Sequence, residues 1–146
     1  MKPIDQTIFG FKKGNCFQAC VASIFEREIN DVPEFMGDGV DSFYDNLRKW
    51  EGVTGLKFIN ITVGDEDIDI IKNCFVIAAG PSPRDKKKNH ACIYYNGKMV
   101  HDPHPDKIGI VAPEYYTIIV LQNPAIFWTN TSQKHIQKKE GKHDRI

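Results

Sequence analysis

The sequence predicts an α+β fold, with helices first and an antiparallel sheet after them. Three observations carry this. Residues 16–26 and 42–51 repeat apolar side chains at helical spacing. From residue 56 the period changes, and apolar or β-branched runs of strand length recur up to residue 121. Between two of those runs stands Asn96-Gly97, the strongest short-range signal for a hairpin turn.

The chain is 146 residues long, 41% hydrophobic and 26% charged, a balance that fits one soluble domain with a real core. Residues 1–130 are read as that domain. From residue 131 the chain is polar and lysine-rich, and a disordered tail is expected. The formal net charge is zero, so a whole-protein field drawing nucleic acid or an anionic membrane is not indicated. No apolar run is long enough to span a bilayer, and the first residues lack the apolar core of a signal peptide. A reducing, cytoplasmic setting follows as the expectation. The four cysteines are then thiols, with Cys20, Cys74 and Cys92 in apolar stretches as buried packing residues.

In order along the chain, residues 1–13 read as an extended arm, with Ile4, Ile8, Phe9 and Phe11 available to pin it. Gly14 allows a sharp bend and Asn15 is a good helix cap. In the helix 16–26, Phe17, Cys20, Val21, Ile24 and Phe25 form one face. Residues 30–36 suggest a turn and a short helical piece with Pro33 in its first turn, stopped by Gly37 and Gly39. Asp41 then caps a helix over 42–51, with Phe43, Leu47 and Trp50 on one face and Gly52 as its stop. A strand over 56–63, a short acid-capped helix over 65–72 and a buried central strand over 74–79 follow. Gly80-Pro81-Ser82-Pro83 ends that strand, and 84–88 reads as a solvated basic loop, or else a rim for an acidic or phosphate-bearing partner. The hairpin of 90–95 and 98–102 ends at Pro103 and Pro105. A loop, a strand over 115–121 and an apolar clip over 125–128 complete the domain.

Cys16 is the cysteine that stands at an element boundary. The first turn of a helix gathers unpaired N–H groups and the positive end of the dipole, a setting that favours a thiolate. Nucleophilic thiol chemistry also needs a base and a group to orient it. His90, at the start of a strand, is the candidate base, and Asp102, at the end of the partner strand, is the candidate orienting carboxylate. A two-residue turn pairs Tyr95 with Lys98, which sets Ala91 across from Asp102 and His90 across from Pro103. A strict ladder would put His90 and Asp102 on opposite faces, so they meet only if the ladder ends or twists there.

Gly14-Asn15-Cys16-Phe17-Gln18-Ala19-Cys20, followed by His90-Ala91-Cys92-Ile93 and Val100-His101-Asp102-Pro103, resembles the papain-like cysteine peptidase superfamily. The closest likeness is to the bacteriocin-processing, double-glycine branch, and small bacterial and phage proteins of that fold are also similar. The likeness spans about residues 6–121. It departs at Asn15 and Phe17, where the branch has aspartate and glycine. The resemblance implies a papain-like fold, with Cys16 as nucleophile, His90 as general base and acid, and Asp102 as orienting carboxylate. A glutamine upstream of the cysteine helps form the oxyanion hole in that branch, and Gln6 takes that role here. It stands ten residues before Cys16, where the branch has about six, and a longer loop at Gly10 to Gly14 absorbs the difference. The implied activity is cysteine-dependent acyl transfer of the peptidase or amidase type through a thioester. The substrate would be a protein, a peptide or a small amide, with no cofactor and no resident metal.

Two alternatives share these residues. Papain-like scaffolds also carry transferases, deamidases and inactive binding modules, such as a phage accessory protein. Cys16, Cys20, His101 and His104 are the residue types of a Cys2His2 zinc set, at loose spacing.

Overall fold

A ten-residue helix, α1 (Cys16–Phe25), begins at the predicted cysteine. Ala19, Cys20, Val21 and Ala22 are wholly buried and Phe25 is exposed, so the middle of the helix is enclosed on nearly all sides instead of on one face. Its short side chains permit this: Ser23 Oγ donates to Ala19 O within the helix and accepts the Ile4 N–H of the arm at 2.9 Å. Glu26, left-handed at φ 55°, ends the helix, and the Arg27 N–H closes the last turn on Ala22 O at 2.9 Å. Asn15 makes no side-chain cap bond, contrary to expectation.

The structure is a computed structural model and describes residues 1–37, 40–64 and 69–125, excluding the side chains of Val40 and Asp41. The helical piece expected over 30–36 is only a 3-10 turn, Ile29–Asp31, and Pro33 lies in irregular chain beyond it. The second helix, α2 (Val40–Thr54), is longer than 42–51 at both ends. Asp41 therefore lies within the helix and not at its cap, while Gly39 is outside the described residues. Gly52 does not stop α2, because one glycine in an exposed helix costs only about 1 kcal/mol. Gly55 does: it is left-handed at φ 71°, and its N–H returns to Glu51 O at 3.0 Å.

Five strands follow: β1 (Leu56–Thr62), β2 (Phe75–Ser82), β3 (Asp85–Tyr95), β4 (Lys98–His101) and β5 (Tyr115–Leu121). They form one sheet in the order β1-β5-β2-β3-β4, with every pair antiparallel. The α+β class is as predicted, and β2 is the buried central strand. The two-residue period of the strands divides the core. Phe58, Ile77, Ala91 and Ile93 pack toward Cys20, Val21, Phe35 and Leu47 on one face. Val76, Ala78 and Cys92 pack with Ile71, Ile110 and Tyr116 on the other.

The largest departure lies between β2 and β3. β2 continues to Ser82 and β3 already begins at Asp85, so the expected loop over 84–88 shrinks to a turn at 83–84. Pro81 does not end β2 because it sits at a register shift, where the ladder loses little from a missing N–H. Its carbonyl still accepts the Val111 N–H at 2.8 Å. Cys74 is exposed, against expectation, while Cys20 and Cys92 are buried, and all four cysteines are free thiols. Residues 69–73 form turns; the rest of the helix expected over 65–72, most of the apolar clip and the tail lie outside the described residues. Among the described residues no helix is long and apolar enough to cross a membrane.

Candidate active site

The loop after β4 brings Asp102 back to β3. His90 Nε2 lies 2.7 Å from Asp102 Oδ1, and both side chains are almost wholly buried. The register difficulty is resolved by a bulge. Tyr94 pairs with Met99, but Ile93 pairs with His101, so Val100 is the extra residue on β4. Continued one step, that register sets Cys92 opposite Asp102. Side chains two apart share a face, so His90, Cys92 and Asp102 converge, with donor atoms within 4.8 Å of one another.

Asp102 is held from four sides. Oδ1 accepts the His104 N–H at 2.8 Å besides the imidazole, and Oδ2 accepts the Gly109 N–H at 2.7 Å and Arg84 Nη2 at 3.2 Å. Burial alone would raise its pKa. The hydrogen bonds from His90, His104 and Gly109 outweigh that and hold the carboxyl well below the usual range. Burial likewise pulls His90 down, but hydrogen bonds with Asp102, Cys16 and Cys92 push it up to about 11. Asp102 takes Nε2, which leaves Nδ1 as the ring nitrogen for a second partner.

Cys16 is half-buried; its thiol shares the lining of two hollows with the His90 ring and is one of the groups that raise the imidazole's pKa. Two hollows meet at this pair. One, of about 350 Å³, is lined by apolar groups including Phe17, Phe43, Leu47, Ala79 and Ala91. The other, of about 430 Å³, is lined by groups including Gln6, Phe9, Arg84 and His104.

Gln6 reaches the site through Asn15. Asn15 Oδ1 accepts the N–H groups of Thr7 and Ile8 at 3.0 and 2.9 Å, and its own N–H donates to Ile8 O at 3.1 Å. Residues 9–14 therefore loop out from a closed base, and Gly14 N–H closes the turn on Gly10 O at 2.7 Å. A Cβ on Gly14 would stand 2.6 Å from that oxygen. Gln6 is fixed by its backbone N–H to Pro103 O and by Nε2 to Ile8 O, each at 3.0 Å. Its Oε1 is buried without a partner among the described residues, and one Nε2 proton is unused.

The structure thus gathers Cys16, His90 and Gln6 about one pair of hollows, with Asp102 buried behind the imidazole. It does not gather the four residues of the zinc alternative. Cys20 Sγ lies 3.6 Å from Ala91 O and His101 Nε2 lies 2.8 Å from Ile4 O. The set with metal-ligand types that converges among the described residues is His90, Cys92 and Asp102, and Arg84 already sits on that carboxylate. Two members escaped sequence reasoning. Cys92 was legible as the residue two on from His90, whereas Arg84 stands in a run of basic residues with nothing to single it out. No protein-family model, curated protein or solved structure matches the chain.

Proposed function

We propose that the protein is a cysteine-dependent acyl-transfer enzyme of papain-like type, hydrolysing an amide through a thioester on Cys16. One observation carries the reading: a buried imidazole lies 2.7 Å through Nε2 from a carboxylate, and a half-buried thiol at a helix start lines the same two hollows as that ring. The reading assigns three roles. Cys16 is the nucleophile, His90 the acid and base, and Asp102 the orienting charge.

The Cys16 sulfur, its proton held by His90, attacks the acyl carbon, and the carbonyl π pair moves to oxygen. The Cys16 backbone N–H and the spare Gln6 amide proton receive that oxyanion, each donor being worth about 3 kcal/mol. Collapse breaks the C–N bond as His90 gives its proton to the leaving amine. His90 then takes a proton from water, the hydroxide attacks the thioester, and the thiolate leaves. No step needs a cofactor, and a reducing compartment suits a free thiol.

Alkylation by iodoacetamide, mapped by residue, tests the reading. Cys16 should react at pH 7 at least about tenfold faster than free cysteine, since a helix start and a neighbouring base are the setting of reactive cysteines. His90→Ala should remove that advantage and, like Cys16→Ala, abolish acylation by a nitrophenyl ester while the fold persists. A wild-type Cys16 no faster than free cysteine rejects the enzyme and leaves the binding-module alternative.

A further inference from the structure

The site has a basic rim that the reaction does not use. Between the pairs Ser82–Asp85 and Pro81–Asn89, residues 86–88 bulge from the sheet with no partner strand, and all three are exposed lysines. The loop 9–14 carries two more exposed lysines, Lys12 and Lys13, beside the exposed rings of Phe9 and Phe11. The two segments flank one opening: Phe11 and Lys87 line the apolar hollow, and Phe11 and Lys88 line the polar one. Lys88 is paired with Asp85 at 3.0 Å. Among the described residues Lys12, Lys13, Lys86 and Lys87 have no ion-pair partner. Of these four, Lys87 lines the apolar hollow, and Lys12, Lys13 and Lys86 each adjoin in sequence a residue that lines one of the two hollows; Asp85, the partner of Lys88, is the acid among the lining residues of the polar one.

The hollow between them is apolar. Ala79 and Ala91 pair across the sheet, and their short side chains leave the space that Phe17 and Phe43 wall. A volume of about 350 Å³ has room for a bulky apolar side chain, and Cys16 and His90 stand at its edge. A group that fills such a hollow, crosses an acyl-transfer pair and meets lysines on the rim is an extended polypeptide.

We propose that the cleft is selective for a polypeptide segment in which acidic residues adjoin a bulky apolar one. The apolar side chain occupies the hollow, and the acids face Lys12, Lys13, Lys86 and Lys87. This rests on the reading of Cys16 as a nucleophile. Lysine charge at the mouth raises the local concentration of an anionic segment and its rate of encounter.

Peptidyl vinyl sulfones, to which a thiolate adds at the vinyl carbon, make the test. The peptides are Glu-Glu-Leu-Leu, Lys-Lys-Leu-Leu and Glu-Glu-Ala-Ala, and the rate of Cys16 labelling is read by mass. At low salt the first should label at least about tenfold faster than the second. About 1 M salt, where the screening length is about 3 Å, should erase most of that preference. The paired change Lys86→Glu with Lys87→Glu should reverse it, and a thermal midpoint checks that this variant is folded. Replacing both leucines by alanine should also slow labelling about tenfold or more, since the one seated in the hollow loses most of a buried side chain. Equal rates for the acidic and basic peptides overturn the rim assignment. Equal rates for the leucine and alanine peptides overturn the hollow. Tight binding of an oligonucleotide alongside equal peptide rates assigns the lysines to nucleic acid instead. In each of these outcomes iodoacetamide still finds a fast Cys16, whereas a slow Cys16 rejects the enzyme reading itself.

Discussion

Arg84 Nη2 lies 3.2 Å from Asp102 Oδ2, so the carboxylate that binds the imidazole is itself held from the β2–β3 turn. The same guanidinium binds Asp106, through Nε to Oδ2 at 2.7 Å and through Nη2 to Oδ1. One arginine thus ties the turn at 83–84 to the loop that follows β4. Arg84→Met should cost about 1.5–3 kcal/mol, the range for a hydrogen bond to a charged group. Urea unfolding reads this, and an unchanged midpoint would show that the tie is idle.

The protonation of His90 gives a pH dependence with a definite sign. Its pKa rises from 6.5 to about 11 in the folded chain, against the pull of burial, through Asp102 first and then Cys16 and Cys92. The folded state therefore binds the extra proton across that window. The stabilisation is fully present below about 6.5 and is lost as pH rises through about 11. The ring proton resonances of His90 should stay in the imidazolium position from pH 6 to 9. Asp102→Asn should lower the midpoint more than Cys16→Ala does. A wild-type midpoint near 6.5 would contradict the ion pair.

Gly80 pairs with His90 across β2 and β3, and a Cβ there would stand 2.0 Å from Ala112 O. Gly80→Ala should destabilise by about 1–3 kcal/mol, the cost of overpacking. It should also slow Cys16 alkylation by displacing the strand that carries the base. Gly52→Ala is the contrast: nothing lies within 4 Å of its Cβ, and it sits inside α2. It should stabilise by about 1 kcal/mol, and equal effects at the two glycines would refute the packing account.

Asn15 separates position from chemistry. Asn15→Ala leaves the Thr7 and Ile8 N–H groups without their acceptor and should cost about 1–3 kcal/mol. Gln6→Ala should slow acylation by a nitrophenyl ester about 10²–10³-fold if the amide serves an oxyanion. Iodoacetamide alkylation forms no oxyanion and should be far less affected. Equal losses in both assays would give Gln6 a structural part only.

Local chemistry made α1, β2, β5 and the Asn96-Gly97 turn legible, because helical spacing, a continuous apolar run and a turn dipeptide each act within a few residues. The candidate residues were legible for a similar reason, since thiol, imidazole and carboxylate announce their chemistry by type. Their meeting was not. It depends on Val100 standing out of the β3–β4 ladder, and one residue of register decides which face every side chain takes. The place of Arg84 was hidden in the same way. A run of charges reads as a solvated loop until the fold supplies Asp102 and Asp106 as partners. Sequence by itself determined α1, the central strands and the hairpin turn, and which residue types were candidates for chemistry, because those follow from neighbours along the chain. Tertiary structure alone decided that Asn15 anchors the arm instead of capping a helix, and that His90 faces Asp102, because both depend on contacts between distant segments.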